Sequence, residues 1–208
     1  SMVRFLNEDM KKHQNISDED AIKLRKAFKN SMTLIRSMIG RNAFRRYYRG
    51  DDENINGYWE PKRFNASLFD VLTWGFTNYD KNLVMANLDA IREGWIALMT
   101  EDENFIESIE RSTSSLKSVT YRFDAWRKVL SEVLSSTSTQ PRCFTRVLKQ
   151  KLFDTNPTCQ ICNQQIAEVD DAAVDHIEQY WLGGKTIPEN ARLTHRYCNW
   201  ARSKKDVD

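Results

Sequence analysis

Four residues in the C-terminal quarter of the chain have the types and the spacing of a zinc site. They are Cys159, Cys162, His195 and Cys198, arranged as Cys-x-x-Cys and His-x-x-Cys. Two intervening residues allow a tight turn, or the first turn of a helix, to present both ligand atoms to one ion. The matched pairs therefore predict a closed, tetrahedral Zn²⁺ site of the Cys₃His kind. A redox role for the first pair would need a thioredoxin-like βαβ context, which the sequence does not show.

His176 is the candidate catalytic histidine, because the zinc prediction assigns His195 to the metal. It directly follows Asp175 at the end of the stretch "AAVDHI". A carboxylate suits a hard divalent cation such as Mg²⁺, and a neutral imidazole beside it can take a proton from water. The alternative is an ordinary histidine on a half-buried strand. Its position between the two zinc pairs favours the catalytic interpretation.

Charge and length exclude few classes of function. The 208 residues include 31 basic and 29 acidic residues, a net charge of +2, so any nucleic-acid surface must come from local clustering. No apolar run approaches the ~20 residues of a membrane span, and no signal-peptide pattern opens the chain. We therefore expect no membrane partner and a cytoplasmic location. Ser1 before Met2 is typical of a cloning remnant, so a longer natural protein is expected.

The first two-thirds of the sequence predict a helical domain. Ser17 and Asp20 form a capping box that opens a helix, and Gly40 ends it. The apolar residues that recur along it are Ala21, Leu24, Phe28, Ile35 and Met38. Further helices are predicted over residues 65–79, 82–99, 103–110 and 119–134. Their apolar and aromatic side chains fall at helical spacing, which favours packing in a core.

The residue composition of the sequence changes after a polar stretch, "SSTSTQP", at residues 135–141. We interpret this stretch as a linker. Pro141 suits the first turn of a helix over "PRCFTRVLKQKLF". Two short β-prone stretches, "AAVDHI" and "ARLTH", and a basic helical tail follow. A unit of this size cannot build a sufficient core alone, so a structural metal is needed. The expected fold class is α+β, mostly α, with a helical domain at 1–140 and a zinc-stapled domain at 141–208.

The run "CQIC…VDHIEQYWLGGKTIPENARLTHRYCNWARSKK", residues 159–205, resembles the HNH endonucleases, the ββα-metal nucleases of the zinc-bearing subtype. Five elements occur in the order of that family: CxxC, Asp-His, Gly-Gly, an asparagine, and a second zinc pair followed by Asn. Two positions depart from the usual pattern. Gln179 stands where many members have proline, and the basic residue usual shortly after the last motif position appears as Arg202, followed by Lys204 and Lys205. His195 occupies a zinc position more often filled by cysteine, an acceptable exchange of ligand.

This resemblance implies a role for each matching residue. Asp175 and Asn199 bind the catalytic divalent ion, Mg²⁺ or Mn²⁺. His176 is the general base that activates water. Asn190 braces the loop that positions this histidine. The implied activity is hydrolysis of phosphodiester bonds, with Zn²⁺ in a purely structural role.

Two clusters of basic residues are candidate nucleic-acid contacts. The residues from 192 to 205 include no acid and five basic residues, namely Arg192, Arg196, Arg202, Lys204 and Lys205. The stretch "RNAFRRYYRG", residues 41–50, interleaves arginines, among them Arg45 and Arg46, with aromatic residues. Basic and aromatic residues together are typical of nucleic-acid binding. The alternatives are a solvated helix face for the first cluster and the rim of a core helix for the second.

The helical part carries a second, less specific resemblance. The segment "FNASLFDVLTWGF…YRFDAWRKVLSEVL" is similar to the helical region that joins a ParB-like nucleotidase domain to an HNH domain in bacterial GmrSD-type, modification-dependent restriction proteins. This similarity implies a role in restriction and anti-phage defence, modified DNA as a substrate, and a nucleotidase domain ahead of this segment. The motif of that nucleotidase does not occur in the sequence.

The sequence thus predicts a metal-dependent DNA endonuclease. A non-catalytic zinc module that binds nucleic acid is one alternative, and an RNA-directed nuclease is another. The non-catalytic module has no need of Asp175, His176 and Asn199 together, and their joint presence favours an enzyme. The sequence carries no signal for an oligomeric state.

Overall fold

A computed structural model describes residues 2–135 and 143–205 of the chain. Its helical part contains α1 (Met2–Lys12), α2 (Asp18–Ile39), α3 (Ala66–Gly75), α4 (Lys81–Ala86), α5 (Leu88–Thr100), α6 (Glu103–Glu110) and α7 (Leu116–Ser135), with a short hairpin of β1 (Tyr47–Tyr48) and β2 (Tyr58–Trp59). The C-terminal part contains α8 (Arg146–Thr155), β3 (Ala172–His176), β4 (Ala191–His195) and α9 (Arg196–Lys205). Mostly helical and with two small antiparallel sheets, the fold is of the predicted α+β class.

Aromatic side chains from α5 and α7 form the centre of the helical core. The rings of Trp95 and Trp126 meet edge to face with centroids 4.9 Å apart, and both residues are buried. Phe76 and Phe105 pack on the outer edges of this pair. A side chain at Gly75 would lie 2.1 Å from the indole nitrogen of Trp126, so only glycine lets α3 approach so closely. Among the described residues, no helix combines the length and apolar character that crossing a membrane requires.

Several of the helix predictions are confirmed and others need correction. The Ser17 hydroxyl accepts a bond of 3.1 Å from the backbone N–H of Asp20, as the capping box predicts. Leu24 and Phe28 are exposed, however, because the core contacts of α2 begin only at its second half. The helix predicted over 82–99 is two helices that meet at Asn87. The periodicity of α2 marks an apolar face correctly but does not show where a partner covers it.

The start of the C-terminal part also differs from the prediction. Residues 143–145 are not helical, and α8 begins only at Arg146, where the Thr145 hydroxyl caps it. The rest of the predicted linker, residues 136–141, and the boundary between 140 and 141 lie outside the described residues. The strands predicted in "AAVDHI" and "ARLTH" are confirmed as β3 and β4, and the basic tail is α9. The strands pair antiparallel, and α8 packs against both.

The β1–β2 hairpin joins the two parts of the chain. Residues 41–50 form a 3₁₀ turn and strand β1, so the idea that they line a helix is wrong. The Tyr47 hydroxyl donates to Asp171 Oδ1 at 2.7 Å, and the Trp59 indole donates to Asp170 Oδ2 at 2.9 Å. Both acids precede β3 directly. The hairpin therefore fixes the entry to the strand that carries Asp175.

A buried ionic cluster anchors α9 to the helical part. The Glu93 carboxylate accepts bonds from Arg196 Nη1 at 2.6 Å and from Lys149 Nζ at 2.9 Å. Arg92 next to it binds Asp170. Burial alone would raise the pKa of Glu93, but Arg196 and Lys149 hold that pKa well below its usual range. Burial lowers the pKa of Lys149 to about 8 even though Glu93 opposes the shift. The Glu93 carboxylate thus neutralises positive charge on side chains from two other helices, Lys149 on α8 and Arg196 on α9.

We expect Glu93→Gln to destabilise the protein, because it leaves Lys149 and Arg196 without a neighbouring carboxylate. Loss of one partner of a buried pair costs about 3–5 kcal/mol. Since 30% of the Glu93 side chain is exposed, we expect about 2–3 kcal/mol in a urea unfolding titration. Glu19→Gln, which breaks an exposed pair with Lys23, is the matched control and should change stability by no more than about 0.5 kcal/mol. Equal effects of the two changes would contradict this account.

Candidate functional site

The four predicted zinc ligands converge in the structure. One ligand atom from each of Cys159, Cys162, His195 and Cys198 lies within 4.8 Å of every other. The Nδ1 atom of His195 is 3.4 Å from the Cys162 sulfur and 3.9 Å from the Cys198 sulfur. Bonds of ~2.3 Å to sulfur and ~2.0–2.1 Å to nitrogen in a tetrahedron put these atoms about 3.6 Å apart. The cluster therefore fits Zn²⁺.

Hydrogen bonds around the cluster orient its ligands. The second ring nitrogen of His195, Nε2, lies 3.3 Å from the Gln165 carbonyl oxygen. A proton on Nε2 leaves Nδ1 to face the ion, and a carbonyl partner of this kind is typical of zinc-bound histidines. The backbone N–H groups of Ile161 and His195 each donate to the Cys159 sulfur at 3.4 Å. Such bonds stabilise a thiolate.

The pKa values of the thiols show why this cluster needs a cation. Burial raises the pKa of Cys159, but hydrogen bonds from three backbone N–H groups reverse the shift and lower it to about 7. Burial and the neighbouring Cys159 raise the pKa of Cys198 far above its usual range. Without a cation, buried sulfurs so close together cannot all be thiolates. A bound Zn²⁺ removes this penalty, so metal binding is coupled to loss of the thiol protons.

Asp175 lies near the end of β3, opposite Arg192 of β4. Its Oδ2 atom accepts bonds from Arg192 Nε and Nη2, at 2.9 and 2.7 Å, and from Arg202 Nη1 at 2.5 Å. Arg202 also donates to the backbone oxygens of His176 and Ile177, so it ties α9 to the end of β3. All three of these bonds from the two guanidinium groups go to Oδ2.

His176 is the last residue of β3, and its ring is held on several sides. The Nε2 atom is 2.9 Å from the Thr186 hydroxyl oxygen. The ring centroid is 4.4 Å from that of Phe144 and 5.6 Å from that of Tyr180. The Thr186 hydroxyl and the two aromatic rings thus hold the imidazole in place.

Asn190 closes the loop that joins His176 to β4. Its Oδ1 atom accepts from the Glu178 backbone N–H at 2.8 Å, and its amide nitrogen donates to the carbonyl oxygens of Glu178 and Lys185 at 3.0 and 2.9 Å. A side chain at Gly184 would lie 1.9 Å from the Glu178 carbonyl oxygen, so the tight closure requires glycine. The geometry is that expected of a residue that braces the loop, and it fixes the segment that carries Thr186.

Asp175, His176 and Asn199 line one cleft of about 2140 Å³ between the helical part and the ββα unit. Asn199 lies on α9, one turn before Arg202, and is half-buried. Three residues from the end of a strand and the middle of a helix thus face a single space. A divalent ion and a phosphate group can both be accommodated there.

The residues that were predicted to contact nucleic acid differ from one another in their environment in the structure. Arg196 was expected to bind phosphate, but its guanidinium is buried against Glu93 and the Asp170 carbonyl oxygen, so it anchors α9 instead. Arg192 and Arg202 both bind Asp175, and Arg202 lines the cleft. The side chains of Lys204 and Lys205 lie outside what the structure describes.

The arginines of residues 41–50 mostly face protein. Arg46 is 9% exposed, forms an ion pair with Glu110, and stacks over the Tyr48 ring at 4.3 Å. Its burial excludes the open guanidinium that a phosphate contact needs, which corrects the prediction for Arg46. Arg45 is half-buried. Arg49 lies 3.4 Å from the centroid of the Trp200 ring on α9, and this contact again joins the two parts of the chain.

Three residues around the site were not predicted. Thr186 lies two positions after Gly184, and a hydroxyl in the loop that follows the candidate catalytic histidine is a signal that the sequence does carry. Phe144 and Glu93 give no such signal, because each acts on a partner more than thirty residues away in the chain.

Comparison with known proteins agrees with this geometry. A zinc-binding ββα unit with a histidine at the end of its first strand defines a class of metal-dependent nucleases. Residues 159–205 match the family model described as HNH endonuclease. Searches of curated proteins and of solved structures found no match. The C-terminal segment is thus an HNH nuclease domain, and the chain is a phosphodiester-hydrolysing nuclease that acts on nucleic acid.

Proposed function

We propose that the protein is a DNA endonuclease that uses one divalent ion, Mg²⁺ or Mn²⁺, held by Asp175 and Asn199. The observation that carries this proposal is the convergence of both residues with His176 on one cleft of an HNH domain. Two protein ligands leave most positions of the ion open to waters and phosphate oxygens, as Mg²⁺ prefers.

The side chains divide the work of hydrolysis. His176 takes the proton of the attacking water, and the Thr186 hydroxyl and the Phe144 ring hold the imidazole in the orientation that this transfer needs. Asp175 and Asn199 would hold a divalent ion, and that ion would supply positive charge to the scissile phosphate and to the leaving oxygen. Arg192 and Arg202 hold the Asp175 carboxylate in place. Their positive charge also attracts an incoming phosphate.

The test of the proposal is incubation of the full chain with plasmid DNA and, separately, with folded RNA of similar length. Mg²⁺ or Mn²⁺ should support nicking or linearisation of the plasmid, and EDTA should stop it. Cleavage of the RNA but not of the plasmid would contradict the proposed DNA endonuclease and indicate an RNA-directed nuclease. Binding to either nucleic acid without cleavage, by protein that carries zinc, would favour the non-catalytic zinc module.

The cellular role that we propose is bacterial restriction of phage DNA in the cytoplasm. Its support is the similarity of the helical segment to GmrSD-type proteins, which also suggests that a nucleotidase domain accompanies this part. Plasmid DNA with modified cytosines, compared with unmodified plasmid of the same sequence, tests the substrate. Equal cleavage of the two plasmids would show that base modification does not determine the substrate. The proposed DNA endonuclease activity would still stand.

We expect Thr186→Val to lower the cleavage rate, because valine keeps the shape of threonine but removes the hydroxyl at His176 Nε2. The loss of one orienting hydrogen bond of about 0.5–1.5 kcal/mol corresponds to a fall in kcat of about 2- to 10-fold. Thr186→Ser restores the hydroxyl and should restore most of the rate, whereas KM should be similar in both variants. A rate for the valine variant equal to that of the unmodified protein would remove Thr186 from the mechanism.

A further inference from the structure

The loop that follows His176 carries a group of exposed apolar side chains. Trp181 is 60% exposed and Leu182 is 69% exposed, and Ile177 and Ile187 in the same loop are 50% and 43% exposed. Large apolar side chains grouped in this way on a surface mark an interaction site. We call these four residues the apolar tip.

The apolar tip is presented by a well-braced loop. The Gln179 carbonyl oxygen accepts bonds from the N–H groups of Leu182 and Gly184, at 2.9 and 3.1 Å, so the chain turns tightly around Trp181. Gly183 adopts a φ of 99°, which favours glycine, and Asn190 closes the base of the loop. Trp181 is therefore exposed by a backbone turn that hydrogen bonds define.

The position of the apolar tip points to one occupant. Trp181 lines the same cleft as His176, and the ring of its neighbour Tyr180 is 5.6 Å from the His176 ring. A strand whose phosphate lies at His176 must place an adjacent nucleotide beside this loop. Trp181 thus belongs both to the apolar tip and to the cleft in which the nucleic-acid substrate is proposed to bind.

We infer that the apolar tip contacts the nucleobases next to the scissile phosphate, with Trp181 as the main contact. This inference rests on the proposed function. An indole can stack on any base, because every base has a π-face. Apolar side chains can also enter between base steps and unstack them, which bends the duplex. Either contact would hold the strand at His176 without reading a particular sequence, and the exposed Lys185 in the same loop can meet the backbone beside it.

Affinity measurements on the full chain carrying His176→Ala test this inference, because that background prevents cleavage. Fluorescence anisotropy of a labelled duplex and of a labelled single strand, in Mg²⁺, gives Kd at several salt concentrations. Trp181→Ala should weaken binding by about 5- to 100-fold, as expected when one base–aromatic stack is lost. Trp181→Phe should retain most of the affinity. The slope of log Kd against log salt should not change, since no phosphate contact is removed.

Leu116 on α7 provides the matched control, because it is an exposed leucine, 82% accessible, far along the chain from the loop. Leu182→Ala should weaken binding, and Leu116→Ala should not. Loss on the single strand indicates stacking and loss on the duplex indicates a wedge, and both support the inference.

Three results would overturn it. The first is unchanged affinity of Trp181→Ala. The second is a flatter salt slope, which would show that the variant acts on phosphate contacts. The third is a Trp181-dependent dimer in light scattering, which would assign the apolar tip to a second copy of the chain. If the zinc-loaded, folded His176→Ala parent binds no nucleic acid, the proposed function fails and the inference fails with it.

Discussion

His176→Ala should lower the rate of plasmid cleavage by about 10²–10⁴, the usual cost of losing a general base. The fall should appear in kcat, because the imidazole acts on water in the reaction and the divalent ion, phosphate and zinc have other ligands. Zinc content, thermal stability and affinity for DNA should stay close to those of the unmodified protein. Single-turnover cleavage at saturating protein measures the chemical step directly.

The matched control for this variant is His13→Ala. His13 is an exposed histidine just after the first helix, and its ring contacts Asp9 one turn earlier. Its replacement should leave cleavage unchanged. The assignment of His176 is wrong if His176→Ala loses zinc, or if it cleaves at the rate of the His13→Ala control.

The parts of the site that the sequence predicted are those whose chemistry is local. The zinc pairs have a fixed internal spacing because each pair lies on one turn, and the strands β3 and β4 come from short β-prone stretches beside them. Asp175 and His176 are adjacent in sequence, so their shared location at the end of β3 required no knowledge of the fold. Local constraints of this kind leave a visible pattern in the chain.

The parts that the sequence could not predict depend on contacts between distant segments. Arg196 looked like a phosphate ligand because it lies in a basic, acid-free stretch, but its partner Glu93 is 103 positions earlier in the chain. Arg46 looked like part of a nucleic-acid patch for the same reason, and Glu110 neutralises it in the fold. No local pattern reports which cation a distant carboxylate will meet, since that depends on how the helices pack.

The ion pair between Glu93 and Arg196 gives the helical part a structural role in the nuclease domain. Asn199 lies on α9, and the first turn of α9 is held from two directions: by zinc through His195 and Cys198, and by Glu93 through Arg196. The helical part therefore supports the position of Asn199, the proposed ion ligand, from outside the HNH domain. A chain cut between the two parts would lose this second anchor even with its zinc in place.

We expect His195→Ala to behave oppositely to His176→Ala. Structural zinc contributes on the order of 10 kcal/mol of binding free energy in small zinc domains, and three thiols without the imidazole retain only part of it. Zinc should be released at far lower chelator concentrations, and the thermal midpoint of the protein should fall. Cleavage should then be lost as a consequence, because α9 no longer holds Asn199 in the cleft that Asp175 and His176 also line. Zinc release measured with a colorimetric chelator, beside thermal unfolding, gives the order of these events.

His195→Cys is the variant that separates ligation from every other role of this residue. A thiolate can replace the imidazole in a tetrahedral zinc site, so stoichiometric zinc, fold and most of the activity should remain. The exchange also removes the bond from Nε2 to the Gln165 carbonyl oxygen, which should appear as a modest rise in the rate of zinc release. A folded, zinc-loaded and inactive His195→Ala protein would show instead that this histidine takes part in the chemistry. Retained zinc with retained activity in His195→Cys therefore distinguishes a structural ligand from a second catalytic base.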